Sequence, residues 1–159
     1  MSEAISPVVP LYPRAAGIAA PVSPTELLKS ILDQEIPTEL IPGGVIVGSC
    51  TDAAIQAGCV SLMDAGQPRR ERYLPLVSVR AQIRCLAPTL DHIDRIARGV
   101  YDRLDQRGRI VAVQRSTGEE YLIHRVNLEV GPSFHRDSAE NWEALLFAEM
   151  LIGLDPVGS

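Results

Sequence analysis

The sequence predicts an α+β fold: two helices packed on a mostly antiparallel sheet, preceded by an extended N-terminal arm. Three observations carry this. From Leu76 to Cys85 apolar and polar residues alternate with period two, as in a strand with one covered face. From Leu90 to Leu104 apolar residues recur at three and four, as in a helix lying on a core. Five of the twelve prolines stand at or before Pro24, where they forbid both a helix and a central strand.

The arm spans residues 1–23, with Val8, Val9, Leu11 and Tyr12 between its prolines. Two readings stay open for it. It is a solvated tail, or a segment that orders only on a neighbouring subunit. A single domain over 24–153 and a short tail, 154–159, follow. The first helix starts at Ser23. Serine is a good N-cap, Pro24 suits the first helical position, and Glu26 stands where a capping box needs it. Leu27, Leu28, Ile31 and Leu32 form its apolar stripe, and Pro37 stops it. Gly43-Gly44 marks a turn and Val45–Val47 a short strand. Residues 48–58 are rich in small residues and predict no element.

Cys59–Asp64 and 73–86 predict a hairpin around the polar loop 65–72. In the second strand Val77, Val79, Ala81, Ile83 and Cys85 face one way, and Ser78, Arg80, Gln82 and Arg84 the other. Thr89 is the N-cap expected for the second helix, and Gly108 the left-handed residue after it. Strands are expected at 109–116 and at Leu122, Val126, Leu128 and Val130, broken by Gly131-Pro132. A polar loop, 133–141, should lead to a last strand through Ile152. Both faces of that strand are largely apolar, which predicts a strand that is central or covered on both faces.

The 159 residues are 46% hydrophobic and 22% charged, the composition of a folded domain. No run approaches the roughly 18 apolar residues of a membrane span, and the first 23 residues predict no secretory leader. A net charge of −5 argues against a dedicated DNA-binding protein. Three cysteines without C-x-x-C predict neither a disulfide framework nor a cysteine-rich zinc site. Charge is segregated: residues 1–63 carry −4, 64–136 carry +4 and 137–159 carry −5. A basic middle between acidic ends would let copies attract one another, or it is ordinary surface charge.

Motifs for chemistry are sparse. Ser133, His135 and Asp137 supply the residue types of a triad, but alternate positions on one loop do not give its geometry. Gly43-Gly44 belongs to no phosphate-binding motif. The histidines, His92, His124 and His135, lack metal-site spacing, and His124 reads as a partly buried strand residue. No cofactor or metal is expected. Arg69, Arg70 and Arg72 form the one local concentration of charge. They read as a docking loop for an acidic surface or as a solvated turn; without interleaved aromatics they make a poor nucleic-acid contact.

The chain from about Pro24 to Gly153 resembles the small tail terminator proteins of long-tailed bacteriophages, also called minor capsid or neck proteins. The resemblance is carried by Leu27 to Pro42, a helix ending in an apolar proline loop. It continues in Leu-Val-Ser-Val-Arg-Ala-Gln-Ile-Arg at 76–84 and the amphipathic helix Asp91 to Leu104. Gly131-Pro132 and the closing strand with Asn141-Trp142-Glu143 complete it. The arm is a departure from the pattern. The resemblance implies a structural virion protein without enzyme activity, assembled in the bacterial cytoplasm into a homohexameric ring at the head–tail junction. Its implied partners are copies of itself, the tail tube protein and a head-side connector or stopper. DNA would cross the lumen without sequence-specific binding, and no membrane is involved. A different neck component, or a small α+β enzyme, is the alternative. Candidate interface residues are Arg69, Arg70, Arg72, Arg80, Arg84, Val8, Val9, Leu11 and Tyr12.

Overall fold

The computed structural model describes residues 22–66, 68–71, 73–129, 133–136 and 140–157. The arm with Val8, Val9, Leu11 and Tyr12 lies outside the described residues, as do Arg72, Val130, Gly131, Pro132 and Asp137. The elements are α1 (Pro24–Glu35), β1 (Val45–Val47), α2 (Asp52–Ala57), β2 (Cys59–Asp64), β3 (Arg69–Arg70) and β4 (Leu76–Ala87). They continue with α3 (Leu90–Leu104), β5 (Gly108–Gln114), β6 (Glu119–Leu128), β7 (Ser133–Arg136) and β8 (Trp142–Gly153). The class is α+β, with one curled sheet and three helices among the described residues, one more helix than the sequence predicts.

The strand order is β1-β2-β4-β8-β6-β5, with β3 also on β4 and β7 also on β8. β1 runs parallel to β2, and the other pairs are antiparallel. β8 is central, bonded to β4 along its full length from Trp142↔Ala87 to Gly153↔Leu76. Its inward face, Ala144, Leu146, Ala148, Met150 and Ile152, is fully buried. So are Ala81, Ile83 and Cys85 of β4, with Val77 and Val79 nearly so. The α1 stripe of Leu27, Leu28, Ile31 and Leu32 and the α3 stripe of Ile93, Ile96, Ala97, Val100 and Leu104 complete this core. Leu90 lies outside it and is exposed.

α1 closes the curl. It packs against both β1 and β5, the two ends of the six-strand path. Lys29 Nζ donates to the Val45 carbonyl at 2.7 Å, on the side of β1 away from β2. The Val113 amide, which faces away from β6, donates to Ser30 Oγ at 3.3 Å. The helix therefore satisfies a backbone group on each end strand of the six-strand path, where unpaired groups invite strand addition.

The caps explain how α1 is held. Ser23 Oγ accepts from the Glu26 amide at 3.4 Å, as expected. The reciprocal half of a capping box is replaced by longer-range bonds. The Ser23 amide donates to Gln114 Oε1 at 2.6 Å. Glu26 instead accepts from the Ser116 amide and hydroxyl at 2.7 and 2.9 Å. Thr89 caps α3 by accepting from the His92 amide at 3.2 Å.

Several expectations are corrected. Residues 48–58 contain α2, with Thr51 as N-cap. The loop 65–72 carries β3, so Arg69 and Arg70 sit on a ladder with Ser78 and Val77 rather than on a free tip. Strand structure resumes at Ser133–Arg136 along the β8 edge that β6 follows further on, where a loop was expected. Past α3 the left-handed residues are Gln106 and Arg109, while Gly108 opens β5. In β6 a bulge between Ile123 and Arg125 shifts the register. Tyr121 and Ile123 are consequently inward with Val126 and Leu128, and Leu122 is not. Leu154, in the segment read as a tail, is buried, and its amide donates to the Pro75 carbonyl at 2.9 Å.

Candidate assembly surface

Period two places the alternate residues of β4 and β8 on the face of the sheet away from α1 and α3. Across this outer face the register sets Ser78 beside Leu151, Arg80 beside Glu149, Gln82 beside Phe147 and Arg84 beside Leu145. On the far side of β8, Arg125 and Asn127 stand beside Leu151 and Glu149, and Ser133 and His135 beside Leu145 and Glu143. Leu145, Phe147, Glu149 and Leu151 are half-buried. The face mixes apolar and charged groups, and no described element covers it.

Two charge relays organise it. Arg80 reaches over β8, its guanidinium 5.8 Å from the Phe147 ring centroid, to Glu129 just past β6. There Nε and Nη2 donate to the two carboxylate oxygens at 3.0 and 2.9 Å. This bidentate fork fixes the guanidinium plane over the aromatic ring. The second relay is more enclosed. Arg84 Nε donates to Glu143 Oε2, and His135 Nε2 bonds Glu143 Oε1, so β4, β8 and β7 meet at one carboxylate. The Glu143 side chain is only 9% exposed, against 32% for Arg84 and 45% for His135. On the opposite face of the same strands Arg136 stacks on Trp142 at 5.1 Å, and Trp142 packs against the core.

Arg80 and Arg84 therefore lie on the outer face as the alternation predicts. Each is engaged within the chain, so neither offers an uncompensated charge. Arg69 and Arg70 differ: they are exposed, and among the described residues neither pairs with a carboxylate. Arg69 lines a cavity of about 320 Å³ with Glu71, Ser78, Arg125, Asn127, Glu149 and Leu151. The structure brings Arg69 and Arg80 onto one face, with Arg84 further along it. Ser133 and His135 share β7, but His135 is turned to Glu143.

At the end of the sheet an apolar groove of about 460 Å³ is lined by residues that include Leu74, Pro75, Leu122, His124, Leu154 and Val157. Leu74 and Val157 are 56% and 49% exposed, the largest apolar exposure at this end besides Tyr73. Among the described residues no three His, Cys, Asp or Glu side chains are grouped as metal ligands. No described helix is long and apolar enough to cross a membrane.

Sequence reasoning missed Glu129, Glu143, Phe147 and His135 as members of this surface. One signal was available: two carboxylates, Glu143 and Glu149, interrupt an otherwise apolar strand, and an Arg-bearing strand precedes it. Opposite charges on neighbouring strands stabilise their pairing. No protein-family model matches this sequence, and no curated protein matches it.

Proposed function

We propose that this chain is a structural assembly protein, a tail terminator that caps a completed phage tail tube as a ring and joins it to the head. The reading rests on the sequence resemblance. The observation that carries it furthest is the distribution of free surface around the sheet. α1 satisfies a backbone group on each end strand of the six-strand path, so strand addition at those two ends is disfavoured. The outer face and the Arg69–Arg70 ladder remain for contact. A protein that stops polymerisation needs this combination: surfaces that dock and edges that do not propagate. The basic middle segment and the acidic C-terminal segment suit contacts between neighbouring copies in a closed ring.

In this reading residues 1–23 form an arm that orders on a neighbouring subunit, and the mostly antiparallel sheet forms the body of each ring segment. Arg69, Arg70 and Arg72 face an acidic partner. Sedimentation of the full chain, alone and with tail tube protein, tests the assignment. The expected result is a species of about six subunits, or a complex formed on adding tube protein. The same measurement on the chain lacking residues 1–22, and on Arg69→Glu/Arg70→Glu, should show weakened association. A strictly monomeric protein indifferent to tube protein overturns the reading. Binding to a head-side connector but not to the tube would reassign it as a stopper or head-completion protein. Unchanged assembly in either variant removes that segment from the interface.

A further inference from the structure

β1 and β2 are parallel neighbours, with Val45↔Val60 and Val47↔Leu62 in register. The chain must therefore return to the starting end of β1 within residues 48–58, a short path for a parallel crossover. It does so through Gly48 at φ +101°, α2, and Gly58 at φ +93°. None of the α2 residues is buried. A polar bond helps to tie the helix down, Gln56 Nε2 to Asn141 Oδ1 at 3.2 Å. Few buried apolar contacts and exposed backbone bonds mark a segment that opens locally at low cost.

The two ends of this crossover carry cysteines. Cys50 precedes the Thr51 cap and is half-buried, while Cys59 opens β2 and is fully buried. Their sulfurs are 2.8 Å apart. A disulfide needs about 2.05 Å, so bond formation asks for less than about 1 Å of movement. All three cysteines are free thiols. Cys85, fully buried on β4, is the third, and burial pushes its pKa up to about 12.

We propose that Cys50 and Cys59 are a reversible dithiol–disulfide site that staples the β1–β2 crossover, with a low-molecular-weight disulfide such as oxidised glutathione as oxidant. The Cys50 thiol, the one with solvent access, loses its proton and attacks one sulfur of the reagent. A mixed disulfide forms and one thiolate leaves, which takes up a proton. Cys59 then loses its proton and attacks Cys50 Sγ, and the second thiol of the reagent departs. Two protein thiols are oxidised and one reagent disulfide is reduced to two thiols, so electrons and protons balance. Burial and the adjacent Cys50 raise the pKa of the Cys59 thiol well above its ordinary value. That holds back the second step, which quickens as pH rises.

The test treats the native full chain with oxidised glutathione and follows intact mass, peptide linkage and melting temperature. The expected product has lost two hydrogens, carries a Cys50–Cys59 link, melts about 5 °C higher and reverts with dithiothreitol. Cys50→Ser should abolish the link and the shift. Cys85→Ala should retain both, and it shows that cysteine replacement alone is not responsible. A glutathione adduct that persists on Cys50 without internal linkage overturns the proposal, as does a link to Cys85. The inference stands on this geometry and is independent of the ring assignment.

Discussion

Replacing Glu143 with alanine should lower unfolding free energy by about 2–3 kcal/mol, the larger part of what breaking a buried charge pair costs. Glu143 is where β4, β8 and β7 converge, through Arg84 on one side and His135 on the other. Its carboxylate is nearly closed off, whereas both partners keep contact with solvent. Truncation would strand Arg84 beside an apolar wall, but water can reach part of it, which holds the loss below the full range for a buried pair. Arg80→Ala should cost under about 1 kcal/mol, although its fork to Glu129 has better geometry. The reason is exposure: the Arg80 and Glu129 side chains are 44% and 31% accessible. Urea unfolding of the two variants checks the contrast. In Glu143→Ala, hydrogen exchange should accelerate first in β7, which among the described residues forms its ladder with β8 alone. Equal losses in the two variants would show that burial does not set the strength of these relays.

That contrast also shows what can be read from a linear sequence. The outward direction of Arg80 and Arg84 follows from alternation within β4 alone. Their partners do not, because Glu129 and Glu143 lie 49 and 59 residues further along the chain. Pairing them requires the register of β4 on β8 and of β6 on β8. The bulge between Ile123 and Arg125 defeats simple extrapolation of that register. It also inverts the expected facing of Leu122, since one extra residue flips every side chain beyond it. α1, α3, β4 and β8 are legible because each buries one face, and burial imposes a period. β3 and β7 are not, because all their residues are exposed and no periodicity is imposed. α2 is hidden for a related reason: none of its residues is fully buried, so no apolar stripe marks it beside the Thr51 cap and the first-turn Asp52. Gly108 was misread because its glycine serves a close approach instead of a left-handed turn. A Cβ there would lie 3.0 Å from the His124 carbonyl oxygen.

Gly43→Ala should cost about 3 kcal/mol, while Gly44→Ala beside it should cost only about 1 kcal/mol. The two glycines form one sequence doublet, yet they are required for different reasons. Gly44 has φ +85° with open space around the missing Cβ, so alanine there meets backbone strain alone. Gly43 has no special φ, but its Cβ would sit 2.4 Å from the Ala54 carbonyl oxygen and 2.8 Å from that of Gly58. Both obstacles are main-chain atoms, which cannot rotate aside. Relief would push the β1–β2 crossover outward. That movement would break the bond from the Gly43 amide to the Gly58 carbonyl, at 2.8 Å, and loosen the Val60 amide's bond to Gly44. Because none of the α2 residues is fully buried, little core contact opposes its displacement. Gly43→Ala should therefore expose the Ile55 and Gly58 amides, which bond to Thr51 and Ile55 in the native crossover. Urea midpoints rank the two variants, and hydrogen exchange at those amides locates the damage. If Gly44→Ala proves the more harmful, or if exchange in α2 is unchanged in Gly43→Ala, the close approach of α2 to the Gly43 backbone is not what requires this glycine.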